Sequence, residues 1–171
     1  MNSKNKIKGI IRYSLYDING NLKQQGESIN VVTTQGSRYY VDRLSSSGGG
    51  TAKFFVLGTG SSAVGSTDTW VSGYYANNGT ALGTGGAVTT LRNSGTLNSL
   101  QYVGTFGAGY GTTANAITRI GLTSQDASAD GNGTPTGTST YFICHGTVSP
   151  SVTKGSTDTL VVTWDHLFQN A

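Results

Sequence analysis

Phe54-Phe55-Val56-Leu57-Gly58-Thr59-Gly60 opens the middle of this chain, and Ile117-Thr118-Arg119-Ile120-Gly121-Leu122 closes it. Both are short apolar runs that break at glycine. A short apolar run without helical period, bounded by turn residues, reads as a buried β-strand. Between them the chain is rich in Gly, Ser, Thr and Asn. That composition makes loops on a scaffold rather than a helical layer.

Strand patterning continues on either side. From Lys6 to Tyr16, Ile7, Gly9, Ile11, Tyr13 and Leu15 alternate with Lys6, Lys8, Arg12 and Ser14. This period of two predicts a half-buried strand. Asn19-Gly20 predicts a hairpin turn, and Leu22 to Val32 the returning strand. Thr33 to Leu44 predicts the one helix, capped by Thr33 or Thr34. Its spacing points Ser37, Tyr40, Val41 and Leu44 to one face, and Gly48-Gly49-Gly50 ends it. Further strands are expected at 53–57, 69–75, 88–91, 97–106, 116–123, 141–148 and 157–168. In the last, Leu160, Val162, Trp164 and Phe168 share one face while Val161 and Leu167 share the other, which suits a central strand or an interface. The fold class expected is mainly β: an antiparallel, jelly-roll-like β-sandwich of about eight to ten strands with one short helix. One domain spans residues 1–171, with 1–5 a flexible N-terminus and 124–139 an exposed loop.

Composition excludes several classes. Charged residues make up 11% of the 171, well under the ~25% of ordinary soluble domains. Glycine is abundant at 26 residues, but without a Gly-X-Y period and with only 2 prolines there is no collagen. The net charge of +3 concentrates in Lys4, Lys6, Lys8, Arg12 and Lys23. A nucleic-acid surface needs a denser basic stripe interleaved with aromatics, so a solvated strand face is the better reading. No apolar run reaches the ~20 residues of a membrane helix, and the early lysines interrupt any secretory hydrophobic region. Cys144 is the single cysteine, so no intrachain disulfide forms.

The residues that could carry chemistry make no pattern. Gly58-Thr59-Gly60 lacks the third glycine of a dinucleotide fingerprint and the lysine of a P-loop. Glu27 is the single glutamate, and Asp17, Asp126, Asp130 and Asp158 sit among turn residues, poor ground for a glycosidase pair. Cys144 and His145 are adjacent, but strand neighbours point to opposite faces and cannot form a dyad. His145 and His166 have no third histidine to make a zinc site. Asp126, Ser128, Asp130 and Gly131 match the first half of a calcium loop, but Gly137 stands where a glutamate belongs. Asn78-Gly79-Thr80 and Asn132-Gly133-Thr134 match the glycosylation acceptor and are set aside without a signal peptide. No catalytic, cofactor or metal residues are therefore assigned. Trp70, Tyr74 and Tyr75 follow Asp68-Thr69 in a polar stretch, where aromatics either cover the scaffold or contact a subunit or receptor. They are the candidate interface residues.

Five pieces, in order, resemble a broad group of tailed-bacteriophage virion proteins: head decoration proteins, head fibres and tail-fibre modules. They are Asn30-Val31-Val32-Thr33-Thr34-Gln35-Gly36 before the helix, Phe55-Val56-Leu57-Gly58-Thr59-Gly60, Asp68-Thr69, Ile117-Thr118-Arg119-Ile120-Gly121-Leu122, and Pro150 and Lys154 leading into Leu160-Val161-Val162-Thr163-Trp164. The pieces span roughly residues 6 to 169. Arg119 departs from the group, which often carries an acidic residue there, and residues 77–98 are longer and richer in glycine. The resemblance implies a non-enzymatic virion component, made in the host bacterial cytoplasm and assembled through repeated protein contacts. Capsid decoration is the expected position. The alternative is a tail or fibre protein that binds a host receptor or glycan. Partners would be other virion proteins and further copies of the chain, with no membrane, nucleic acid or cofactor.

Overall fold

Alternation builds the first hairpin as expected. In β1 (Lys6–Tyr16) the side chains of Ile11, Tyr13 and Leu15 are buried while Arg12 between them is exposed. The chain turns through Asp17–Asn21 with Gly20 at φ +82°, a left-handed conformation that glycine adopts without strain. β2 (Leu22–Val32) then returns antiparallel to β1, with Tyr13 opposite Gly26. A Cβ at Gly26 would strike the Tyr13 ring, so glycine leaves room for the ring to cross the hairpin. Tyr13 Oη donates to Pro150 O at 2.6 Å.

This computed structural model describes residues 6–45, 52, 54–69, 88–92, 99–112, 115–124 and 141–169. Beyond the hairpin its elements are α1 (Thr34–Leu44), β3 (Phe54–Gly58), β4 (Val88–Arg92), β5 (Ser99–Phe106), β6 (Ile117–Thr123), β7 (Phe142–Val152) and β8 (Thr159–Gln169). The strand expected at 69–75 and the exposed loop 124–139 fall almost wholly outside the described residues.

Among the described residues the protein is mainly β and antiparallel with one helix, but the expected two-sheet sandwich is corrected. The strands form one sheet in the order β3-β6-β7-β2-β1-β8-β5-β4. The sheet curls into a half-barrel, and β2 is where it bends. Most of β2 pairs with β1, and only Asn30, Val31 and Val32 pair with β7. The curl brings the two lobes face to face: the Phe55 ring of β3 stacks on Trp164 of β8 at 5.8 Å. Ile11, Tyr13, Leu15, Leu57, Phe106, Ile120, Leu122, Leu160 and Val162 fill the space between. Gly146 leaves room for Ile11 to cross: a Cβ there would lie 2.3 Å from Ile11 Cδ1. β8 lies inside the sheet, between β1 and β5; Leu160, Val162 and Trp164 on its inner face are buried, and Val161 and Leu167 on its outer face are half-buried.

The helix forms where expected, with Thr33 Oγ1 accepting the Gly36 amide at 2.9 Å. Its buried face differs from the expected one. Gly36 and Tyr39 are buried, Tyr40 is half-buried, and Ser37, Val41 and Leu44 are exposed. Gly36 is the cause: a Cβ there would lie 1.8 Å from Ile143 O, so only glycine lets the helix settle this close to β7.

Candidate functional site

β7 carries reactive side chains on both faces, and both faces are buried. Leu122 of β6 pairs with Cys144 and Gly121 with His145, so the thiol points into the half-barrel and the imidazole points out. Cys144 and His145 do not meet, as strand geometry requires. Each finds a different partner.

Inside, Cys144 Sγ lies 3.4 Å from Nε2 of His166 on β8, and the Tyr40 hydroxyl lies 2.7 Å from Nδ1 of the same ring. Tyr102 and Trp164 stand edge-on to the imidazole. Both ring nitrogens are thus partnered in a buried aromatic cage. Burial lowers the His166 pKa from 6.5 to about 4, against a weaker upward pull from Asp165. The same burial pushes the Cys144 thiol up, and the Tyr40 hydroxyl well up. A nucleophilic cysteine needs the reverse: an accessible thiolate beside a cation. This thiol and imidazole are neutral and sealed in the core. The sequence weighed Cys144 against His145, and His145 with His166 for zinc, but did not pair Cys144 with His166, although His166 has the parity of Leu160, Val162 and Trp164 on the inward face of β8.

Outside, His145 Nε2 is 3.1 Å from Gly65 O and 3.2 Å from Asp68 Oδ2. A carbonyl only accepts, so Nε2 carries the proton and Nδ1 is left a bare acceptor; that atom is buried without a partner. Burial lowers the His145 pKa, with Arg119 adding to the effect, while Gly65 and Asp68 pull it up. This histidine fastens the loop 59–69. The Thr118 hydroxyl donates to Gly60 O at 2.6 Å, and the Arg119 guanidinium donates to Ser62 O. The Thr34 amide donates to Ser66 O at 2.8 Å, and Asp68 Oδ2 accepts the Gly65 amide at 2.9 Å. Two strands and the start of the helix therefore hold one loop. Arg119, a departure from the resembling group, is part of that clamp.

The carboxylates are occupied in the same way. Asp17 accepts the amides of Asn19 and Asn21 in the hairpin turn. Asp158 accepts from Lys23 at 2.7 Å and from the Gly155 amide at 2.9 Å. Arg12 lies between Glu27 and Asp165, at 2.9 and 2.5 Å. Lys154 is buried and donates to Gly107 O at 2.8 Å, tying the turn before β8 to the end of β5. Among the described residues, no three His, Cys, Asp or Glu side chains converge on a point that could hold a metal ion. The candidate interface residues Trp70, Tyr74 and Tyr75 lie outside the described residues, as do the calcium-like stretch at Asp126 and both glycosylation acceptors.

No protein-family model matches the chain, and neither the curated proteins nor the solved structures contain one significantly similar to it.

Proposed function

We propose that this chain is a non-enzymatic structural component of a bacteriophage virion, most simply a capsid decoration protein, acting through repeated protein contacts. The observation that carries the reading is the use to which the sequence pieces are put. Asn30–Val32 join the lobes, Thr33 caps the helix, Gly36 admits it to β7, and Arg119 and Asp68 clamp the loop. Pro150 O receives Tyr13, and Lys154 joins two turns. These residues specify a scaffold, and a scaffold is what the resemblance carries over. The groups best suited to chemistry, Cys144, His145 and His166, are buried and serve packing. One feature favours the second reading, a receptor-binding tail or fibre protein. The clamp holds the loop 59–69 on the scaffold, and a loop positioned by a rigid scaffold is how recognition sites are held.

Immunogold electron microscopy on particles of the parent virus tests both. Label spread over the head is expected. Label confined to the tail end would replace decoration with the receptor-binding reading. Absence of label from both intact and disrupted particles would overturn the virion assignment.

A further inference from the structure

The sequence contains three Asn-Gly pairs, Asn19-Gly20, Asn78-Gly79 and Asn132-Gly133, and the first lies within the described residues. In an Asn-Gly pair the glycine nitrogen can attack the asparagine side chain with little hindrance, because glycine carries no Cβ and adopts conformations closed to other residues. At the hairpin tip the sterics favour that attack. Asn19 and Gly20 are exposed, and a Cβ built on Gly20 would meet nothing within 4 Å. Among the described residues no hydrogen bond ties down the Asn19 side-chain amide. The main chain opposes the attack. The Gly20 amide, which would be the nucleophile, donates to Asp17 O at 3.0 Å. The Asn19 amide donates to Asp17 Oδ1 at 2.9 Å, and the Asn21 amide donates to the same oxygen at 2.8 Å. Asn21 Nδ2 donates to Asp17 Oδ2 at 2.9 Å, and the Asp17 amide donates to Asn21 O at 2.9 Å. One residue thus fixes the backbone on both sides of the Asn19–Gly20 peptide bond.

We propose that Asn19 is a deamidation site that Asp17 holds latent. Water is the only co-reactant. The Gly20 nitrogen loses its proton and bonds to Asn19 Cγ; the Cγ–Nδ2 bond breaks, ammonia leaves, and a five-membered succinimide closes. Water then opens either ring carbonyl, leaving aspartate or isoaspartate. The isoaspartate product runs the main chain through Cβ, which adds one backbone atom to the turn, and either product sets a second carboxylate beside Asp17.

For the ring to close, the Gly20 amide must leave Asp17 O and the Asn19 backbone must turn away from Asp17 Oδ1. The Asp17 carboxylate does not serve as the base for the Gly20 nitrogen, since Oδ1 already accepts two amides and Oδ2 accepts the Asn21 side chain. The Asn21 side chain and amide, with the Asn19 amide and Lys23 behind them, hold that carboxylate below the usual range, so it stays an ionised acceptor at neutral pH. The rate in the folded chain is therefore the rate of an open turn scaled by the fraction of time the turn is open. This holds whatever the chain's place in a virion.

Peptide mapping by mass spectrometry tests it, on the full chain incubated at mildly alkaline pH, once folded and once in denaturant. Enzymatic methylation of isoaspartate counts the product. In denaturant the three Asn-Gly pairs calibrate the intrinsic rate. Folded, Asn19 is expected to react about tenfold more slowly than in denaturant, or slower still. Asp17→Ala should recover most of that factor while the chain still melts cooperatively, and hydrogen exchange at the Gly20 amide should quicken in step. Asp17→Asn keeps an oxygen acceptor at Oδ1 and should stay slow. An Asn19 that deamidates as fast folded as unfolded overturns the proposal. So does a folded Asp17→Ala chain that keeps the wild-type rate, or an Asn19 that does not react even in denaturant. If Asp17→Ala fails to fold, Asn21→Ala, which removes only the bond to Oδ2, takes its place with a smaller rise expected, and an unchanged rate there overturns the role of Asp17.

Discussion

The two faces of β7 hold one histidine partner-set each, and they are built differently. On the inner face Cys144, His166 and Tyr40 come from two strands and the helix; the thiol and imidazole are fully buried and Tyr40 packs against the core. On the outer face His145 is covered by a loop, and its partner Asp68 is partly open to water. The inner cluster is inseparable from the global fold. The outer cluster holds down a surface loop. Energetic coupling to the fold follows from what covers a group, not from the group's chemistry.

The largest expected effect tests the inner cluster. His166→Ala removes a fully buried ring and leaves the Tyr40 hydroxyl and the Cys144 thiol without their partner. A cavity plus orphaned polar groups costs about 3–5 kcal/mol. For a chain of this length that lowers the melting temperature by on the order of 10 °C, measurable by calorimetry. A loss of only a degree or two would mean that the cluster is not integral to the core.

Acid probes the same cluster without mutation. The unfolded imidazole takes its proton near 6.5 and the folded one only near 4. Between those values the unfolded state binds more protons, so stability holds above pH 6.5, falls as pH drops through the window, and levels off below about 4. One group shifted this far contributes about 3 kcal/mol. Denaturant melts at pH 7 and pH 4.5 read it, and His166→Phe should flatten the difference. A profile that stays steep in that variant would assign the acid sensitivity to His145 instead, whose pKa is lowered in the same direction.

The smallest effect belongs to the outer cluster. Asp68→Ala removes the acceptor of the Gly65 amide and one contact of His145. It should cost about 1 kcal/mol, felt locally. Hydrogen exchange at the Gly65 amide is expected to quicken while the amides of Val162 and Trp164 keep their protection. Equal acceleration at both would erase the distinction between the two faces.

The candidate site was legible only in fragments. Adjacent Cys144 and His145 pointed to β7, and strand parity correctly kept them apart. Parity along β8 was enough to send His166 inward, but not to say that a thiol from another strand would meet it. No sequence signal marked Arg119 and Asp68 as two ends of one clamp, because, apart from the Asp68 carboxylate, the clamp's acceptors are backbone carbonyls, and every residue has one.

What the sequence determined by itself was local. Period-two alternation fixed β1, and Asn19-Gly20 placed the turn. Thr33 capped the helix with its own hydroxyl, and the 3.6-residue spacing located that helix to within a residue of its ends. Such features depend on neighbours along the chain. The tertiary structure decided the rest. Alternation says that one face of a strand is buried, not what buries it, so a sandwich and a curled sheet share one pattern. The curl buries the inner face of β3, Phe55 and Leu57, and stacks Phe55 on Trp164. The helix turned toward the sheet the side where Gly36 removes a side chain, not the side with the best apolar spacing, because close packing rewards the absence of a Cβ that a hydrophobic pattern cannot register.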